Sequence, residues 1–330
     1  MKGGWLVVVA LLGCGTKQEA PAPAGSAAST PPPKPASGAC AAATTPVQLA
    51  QGKLHLFSAD NGGAYVTEDV AQGDRNITRL SRIDGKGTAT QLASDPLSIA
   101  FVVPIGDFLY YRAMAQLKRV PKAGGSDASE VKITGVPLGD LIGGDASQLY
   151  FVRRDKGVYR APLAGGAAEQ AIKQYASAFD GKRFISLRDQ KVEVITLDGA
   201  ATTLATIPKG IFLELPLAFD GSYVYYATKE PGTNAHTGIQ RVAAAGGDPQ
   251  TIAPGEDAGL IGVGGGFVYW SIRRATTEVH RAPVGGGPVA TVACLRTGGA
   301  IDLAATAGGV YFTDQTEDHK GTALLFSAAP

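Results

Sequence analysis

Four histidines, three cysteines and a scatter of loop carboxylates and guanidiniums are where this chain could do chemistry, and none falls in a catalytic spacing. There is no nucleophile elbow, no paired-histidine zinc motif, no Cys-x-x-Cys and no Walker loop. His55 (KLHLFS) and His280 (VHRAP) sit within strand-like runs and read as structural residues, whereas His236 (GTNAHTG) and His319 (TEDHKG) sit in polar loops open to a ligand. A metal would require these to converge with carboxylates, which the spacing does not provide, so neither a metal nor a cofactor is expected. Glycine runs such as GVGGG, 262–266, lead into aromatic strands and so lack the helix terminus that binds phosphate.

The elements that would position these residues repeat. VYRAPLAGG at 158–166 has near copies at 117–125, 239–247 and 279–287. Aromatic clusters recur at AYVT (64–67), LYYR (109–112), LYFV (149–152), RFIS (183–186), VYYA (224–227), VYWS (268–271) and VYFT (310–313), a period of about 40 residues. One unit parses as LGDLIGGD (138–145), SQLYFVRR (147–154), KGVYRAPLAGG (156–166) and EQAIK (169–173): small residues suit an inner strand, aromatic and β-branched residues a second, a Gly-Gly turn ends the third, and a short outer strand follows. Seven such units predict an all-β chain, a seven-bladed β-propeller of four-stranded antiparallel blades. The last unit stops one strand short, while TTPVQLAQ (44–51) matches the outer strands ATQLAS (89–94) and QTIAP (250–254). Residues 46–50 are therefore expected to pair with 322–328 and close the ring as an N-terminal strand completing the last blade. Arg82, Arg119, Arg160, Arg241 and Arg281 recur before the Gly-Gly turns, which marks them as packing residues between blades; Val194 and DGA (198–200) replace the motif in unit four. Asp140, Asp180, Asp220 and Asp302 are scattered over the inner strands, two of them in FDG turns.

Ahead of the repeats, Lys2 precedes an apolar run too short to span a bilayer, ending in Leu11-Leu12-Gly13-Cys14. This end resembles a bacterial lipobox. The resemblance implies a signal peptide at 1–13, lipidation of Cys14, export, and a lipid anchor most consistent with the outer membrane, because Gly15 is not the inner-membrane retention residue. Residues 14–45 are Ala/Pro-rich and read as a disordered tether, with the propeller at 46–330. The VYFTD stretch and R-x-P-x-x-GG repeat resemble the propellers of exported, myxobacteria-like lipoproteins of unassigned role and, more weakly, YWTD propellers. Cys40 and Cys294 are within reach of a disulfide, or stand as two separate thiols.

With 30 basic against 29 acidic residues the chain has no basic field, and nucleic acid is not an expected partner. The turns from second to third strand are short in units two, three and four but long in five, six, seven and one, which are consecutive around a ring. That arc carries Asp69, Asp74, Arg75, His236, Arg273, Arg274, Asp318 and His319, with Phe212 at the entry to unit five. It is the expected ligand-binding face, for an envelope protein, peptide or glycan, with the membrane touched through the lipid alone. The alternative is an enzyme, a lyase, lactonase or other hydrolase, with its site at the central funnel; it would need two or more titratable groups to converge there.

Overall fold

The computed structural model describes residues 46–73, 75–153, 156–207, 212–229, 236–255, 258–273, 277–295, 300–315 and 323–329. Seven four-stranded sheets follow one another along the chain, each running outward from inner strand to outer strand. The inner strands of blades one to seven are Leu54–Asp60, Ile99–Ile105, Asp140–Gly144, Ala178–Phe179, Phe212–Phe219, Leu260–Gly264 and Ala300–Thr306. The predicted closure is present: Val47–Gly52 pairs antiparallel with Ala323–Ala328 as the outer strand of blade seven.

The doubled aromatics show why the ring is needed. Successive residues of a strand point to opposite faces, and in a blade both faces are covered. Tyr225 packs into a cluster shared with blade six, while its neighbour Tyr226 packs into one shared with blade four. Tyr269 and Trp270 divide in the same way between blades seven and five, as do Tyr110 and Tyr111 between blades three and one. The core is thus a series of inter-blade clusters, and the last of them joins Leu325 of blade seven to Leu54, Leu56 and Val66 of blade one. No blade can bury its aromatics alone.

Two further devices tighten the ring. Where inner strands crowd, a Cβ at Gly144 would collide with Ile105 of blade two, and one at Gly262 with Leu303 of blade seven. The outer strands carry a bulge at a recurring place, between partners of Leu80/Ser81, Val192/Glu193, Ile239/Gln240 and Val279/His280. The bulge turns two consecutive residues inward, so Leu92-Ala93, Leu204-Ala205, Ile252-Ala253 and Val292-Ala293 are all buried. The closing strand is bulged between Gln48 and Ala50, at Leu49-Ala50.

Candidate functional site

The recurring polar residues are bound into the architecture. In the turns from inner to second strand, Asp145 accepts the N–H groups of Ser147 and Gln148 and the Tyr150 hydroxyl (2.7, 2.8 and 2.7 Å). Asp220 does the same for Ser222, Tyr223 and Tyr225, and Asp180 caps Lys182 and Arg183. Burial raises the Asp145 carboxyl, but the Tyr150 hydroxyl and backbone donors outweigh it and hold the group below its usual range. Tyr150 is pushed up, first by its burial and then by Asp145.

Three of the five repeated arginines act between blades, on the face the first aromatic shares, whereas Arg160 pairs with Glu169 of its own blade (2.6 Å) and Arg119 lies over the Phe108 ring of its own blade. Arg82 donates to the Lys122 carbonyl of blade two (3.2 Å), Arg241 to the Val284 carbonyl of blade six, and Arg281 to the Ala329 carbonyl after blade seven's third strand (3.2 Å). In blade two the Tyr110 hydroxyl reaches the equivalent carbonyl, Leu163 of blade three (3.3 Å). In blade four, where Val194 replaces the arginine, Arg183 reaches the Gly221 carbonyl (3.4 Å).

The start of every inner strand and the turn from second to third strand lie at the same end of the ring, because those strands are antiparallel. At this end the structure departs from the sequence reading of blade one. Residues 67–76, polar enough to read as a loop, continue the ladder: Gly63–Gln72 pairs with Arg75–Ile83 all the way to Gln72↔Arg75. The inner strand begins at Leu54, opposite Glu68, and the outer strand ends at Asp95, opposite Thr78. Residues 70–72 and 75–77 therefore form a two-stranded ribbon beyond the blade, about 10 Å of strand at roughly 3.3 Å per residue. Asp69, at its base, accepts the Thr78 hydroxyl (2.9 Å), and Arg75 is exposed near its tip. Blades two and four instead turn within two residues, Met114-Ala115 and Asp189-Gln190.

Of the other residues expected on this face, Phe212 and His236 are brought level by the ladder, since both pair with Lys229. Arg273 ends the second strand of blade six opposite Thr277. Asp74, Arg274, Asp318 and His319 lie outside the described residues, as do Cys14 and Cys40. Cys294 is disulfide-bonded.

One juxtaposition at the ring axis escaped the sequence reading. His55 is exposed on the inner strand of blade one, not a satisfied core residue, and Asp302 stands on the neighbouring inner strand of blade seven. Asp302 Oδ2 accepts the Leu56 N–H (3.0 Å) across the seam and the Thr313 hydroxyl (3.1 Å). Burial pushes its carboxyl above the usual range, with the Leu56 N–H and the nearby His55 pulling the other way. The two residues are far apart in sequence and meet only because the ring closes. Asp140, by contrast, is ion-paired to Arg112 (3.2 Å). Among the described residues no group of three or more His, Cys, Asp or Glu is placed to hold a metal ion, and no helix is long and apolar enough to cross a membrane.

Sheet order and inter-blade clusters together define the class: a seven-bladed β-propeller. No protein-family model matches the chain, and no curated protein matches it. Among solved structures it is similar to oligogalacturonate lyase from Vibrio parahaemolyticus (TM-score 0.60, 11% identity, covering 86% of this chain and 93% of that one). It is also similar to the WD40 β-propeller domain of Doa1 (TM-score 0.56, 14% identity, 86% and 97%). A third likeness, to a puromycin-hydrolysing peptidase of Mycobacterium tuberculosis, has TM-score 0.57 and 15% identity over 79% of this chain and 49% of that chain. At these identities the likeness is one of fold, and the fold hosts binding modules and enzymes alike.

Proposed function

We propose that the protein is a lipid-anchored envelope propeller that binds a protein, peptide or glycan through the end of the ring where second strands turn into third strands. The observation that carries this is the ribbon formed by residues 70–72 and 75–77. A two-stranded ribbon standing clear of its sheet buries little and adds little to the stability of the domain. Its exposed Gln72, Arg75 and Asn76 are offered to something outside the chain. At the same end of the ring the ladders bring Phe212 and His236 of blade five and Arg273 of blade six, and the sequence assigns Arg274, Asp318 and His319 to the same face. On this reading Cys14 carries the lipid, residues 14–45 set the distance from the membrane, and Cys294 pairs with Cys40.

The test is capture from envelope extract with the wild-type protein and with a variant in which residues 70–77 are replaced by a two-residue Asn-Gly turn joining Asp69 to Thr78. The partner held by the wild type should be lost while the melting temperature holds. Equal capture by both would overturn the proposal. A second reading, catalysis at the central funnel, is favoured by the meeting of His55 and Asp302, the minimum convergence such a site requires. It predicts that lyase, lactonase or hydrolase turnover, once found, disappears in His55→Ala.

A further inference from the structure

A tight turn forms with little strain when glycine takes its left-handed positions, and the turns from inner to second strand follow that rule at Gly181 and Gly221. At the opposite end of the ring the rule is broken. Among the described residues, four that are not glycine have a left-handed backbone: Phe101, Met114, Asp189 and Gln190, with φ of 53°, 51°, 50° and 63°. All four lie where second strands turn into third. Met114 and Asp189-Gln190 form the tips of blades two and four, and Phe101 follows Ala100, the ladder partner of Arg112. Arg112 ties the first pair together: it donates to the Met114 carbonyl (2.6 Å) and lies over the Phe101 ring. Met114 is left 62% exposed. The tip of blade four breaks a second rule, because Arg188 and Lys191 stand directly opposite each other, where like charges repel. Arg153 and Lys156 bound the tip of blade three. Asp140 and Asp189 are taken up by Arg112 and Arg188 (3.2 and 3.3 Å), and among the described residues no carboxylate pairs with Arg153, Lys156 or Lys191.

We infer that the tips of blades two, three and four dock an acidic polypeptide segment, with Met114 as its apolar anchor and Arg153, Lys156, Arg188 and Lys191 as its counter-charges. Strained backbone and opposed like charges gathered on one surface mark a functional site, since packing gains nothing from them. Met114 is held outward before anything binds, so docking does not have to order its backbone. Cations without carboxylate partners select an anionic ligand and speed its arrival. Methionine, flexible and polarisable, packs against apolar side chains of many shapes. A polypeptide supplies such side chains beside its carboxylates, whereas an anionic glycan supplies the charge alone. This surface shares the end of the ring proposed above for binding, and its role rests on that reading, but it does not involve the ribbon of blade one.

The probe is a synthetic peptide, Glu-Leu-Glu-Phe-Glu-Leu-Glu-Phe, titrated into the full-length protein by calorimetry. Beside it are titrated the same peptide with lysine for every glutamate, and alginate as an anionic glycan. The acidic peptide should bind at low salt with a Kd of about 100 μM or tighter, and roughly tenfold or more weaker at about 0.3 M salt. The lysine peptide should not bind. Lys156→Glu combined with Lys191→Glu, both at exposed positions, should weaken the acidic peptide by roughly tenfold or more. Met114→Gly should weaken it without lowering the melting temperature, because glycine accepts the left-handed backbone. The variant lacking the ribbon should bind the peptide as the wild type does, so this result and that of the capture experiment are read separately. No saturable binding of the acidic peptide overturns the inference. So does alginate bound as tightly as the peptide, or peptide binding unchanged in either folded variant.

Discussion

Asp95 shows how strongly single residues are held in this ring. Its side chain is 1% exposed and ion-paired at 2.6 Å to Lys118 of the next blade, which is 21% exposed. It also accepts the Leu97 N–H (3.1 Å). Removing one member of a buried pair strands the other, so Asp95→Ala should lose about 3–5 kcal/mol, read by denaturant unfolding. Asp95→Leu combined with Lys118→Met should lose clearly less, since nothing charged is left stranded. Asp145 gives the pH dependence. Its folded carboxyl lies below the usual range, so the stability it adds is present above the unfolded value of about 3.9 and is lost as pH falls through the folded one. Asp145→Asn should therefore melt below the wild type at neutral pH, with the gap closing below about pH 4; a gap that is constant with pH would refute the assignment. Asp302 has the opposite sign, because its folded carboxyl is raised. The FDG turns at Asp180 and Asp220 were legible in the sequence because an Asx turn is local chemistry. The pairs Asp95–Lys118 and His55–Asp302 were not, because each joins separate blades and no local pattern encodes a contact made by ring closure.

At the scale of elements, repetition made the strands readable and symmetry made the closure readable: VQLAQ resembles the other outer strands, and it sits where one was missing. Polarity misled in blade one. TEDVAQGDRN has loop composition, yet Val70↔Ile77 and Asp69↔Thr78 hold it as a ladder. The outer-strand bulge was hidden because two consecutive buried residues break the period of two that marks a strand. Its signal was present all the same, in the recurring Leu-Ala, Ile-Ala and Val-Ala pairs. Because Leu49-Ala50 is the same pair in the closing strand, its loss should act as loss of an element. Deleting residues 46–52 leaves Ala323–Ala328 as an open edge beside a cluster that includes Leu325 and Leu54. Size-exclusion chromatography should show self-association of that variant, with edge strands pairing between copies. A monodisperse monomer with wild-type melting would show that the latch is dispensable.

At the scale of the whole molecule, each blade depends on both neighbours, so a covalent tie anywhere on the ring should report on all of it. Cys294 is such a tie: it pairs across the ladder with Glu278 in blade six and is disulfide-bonded. The chain has three cysteines, Cys14, Cys40 and Cys294. If Cys14 carries lipid, Cys40 is left as the partner within the chain, and the bond spans most of the domain. In the chain-entropy account a loop of that size constrains the unfolded state by up to about 5 kcal/mol. Reduction, or Cys40→Ser, should therefore lower the melting temperature of the whole propeller in one cooperative transition. Peptide mapping without reductant should find Cys294 linked to Cys40 in the wild type and free in Cys40→Ser. Were Cys294 linked instead to Cys14, the thiol would have no lipid to carry, and the anchoring proposal would fall together with the pairing.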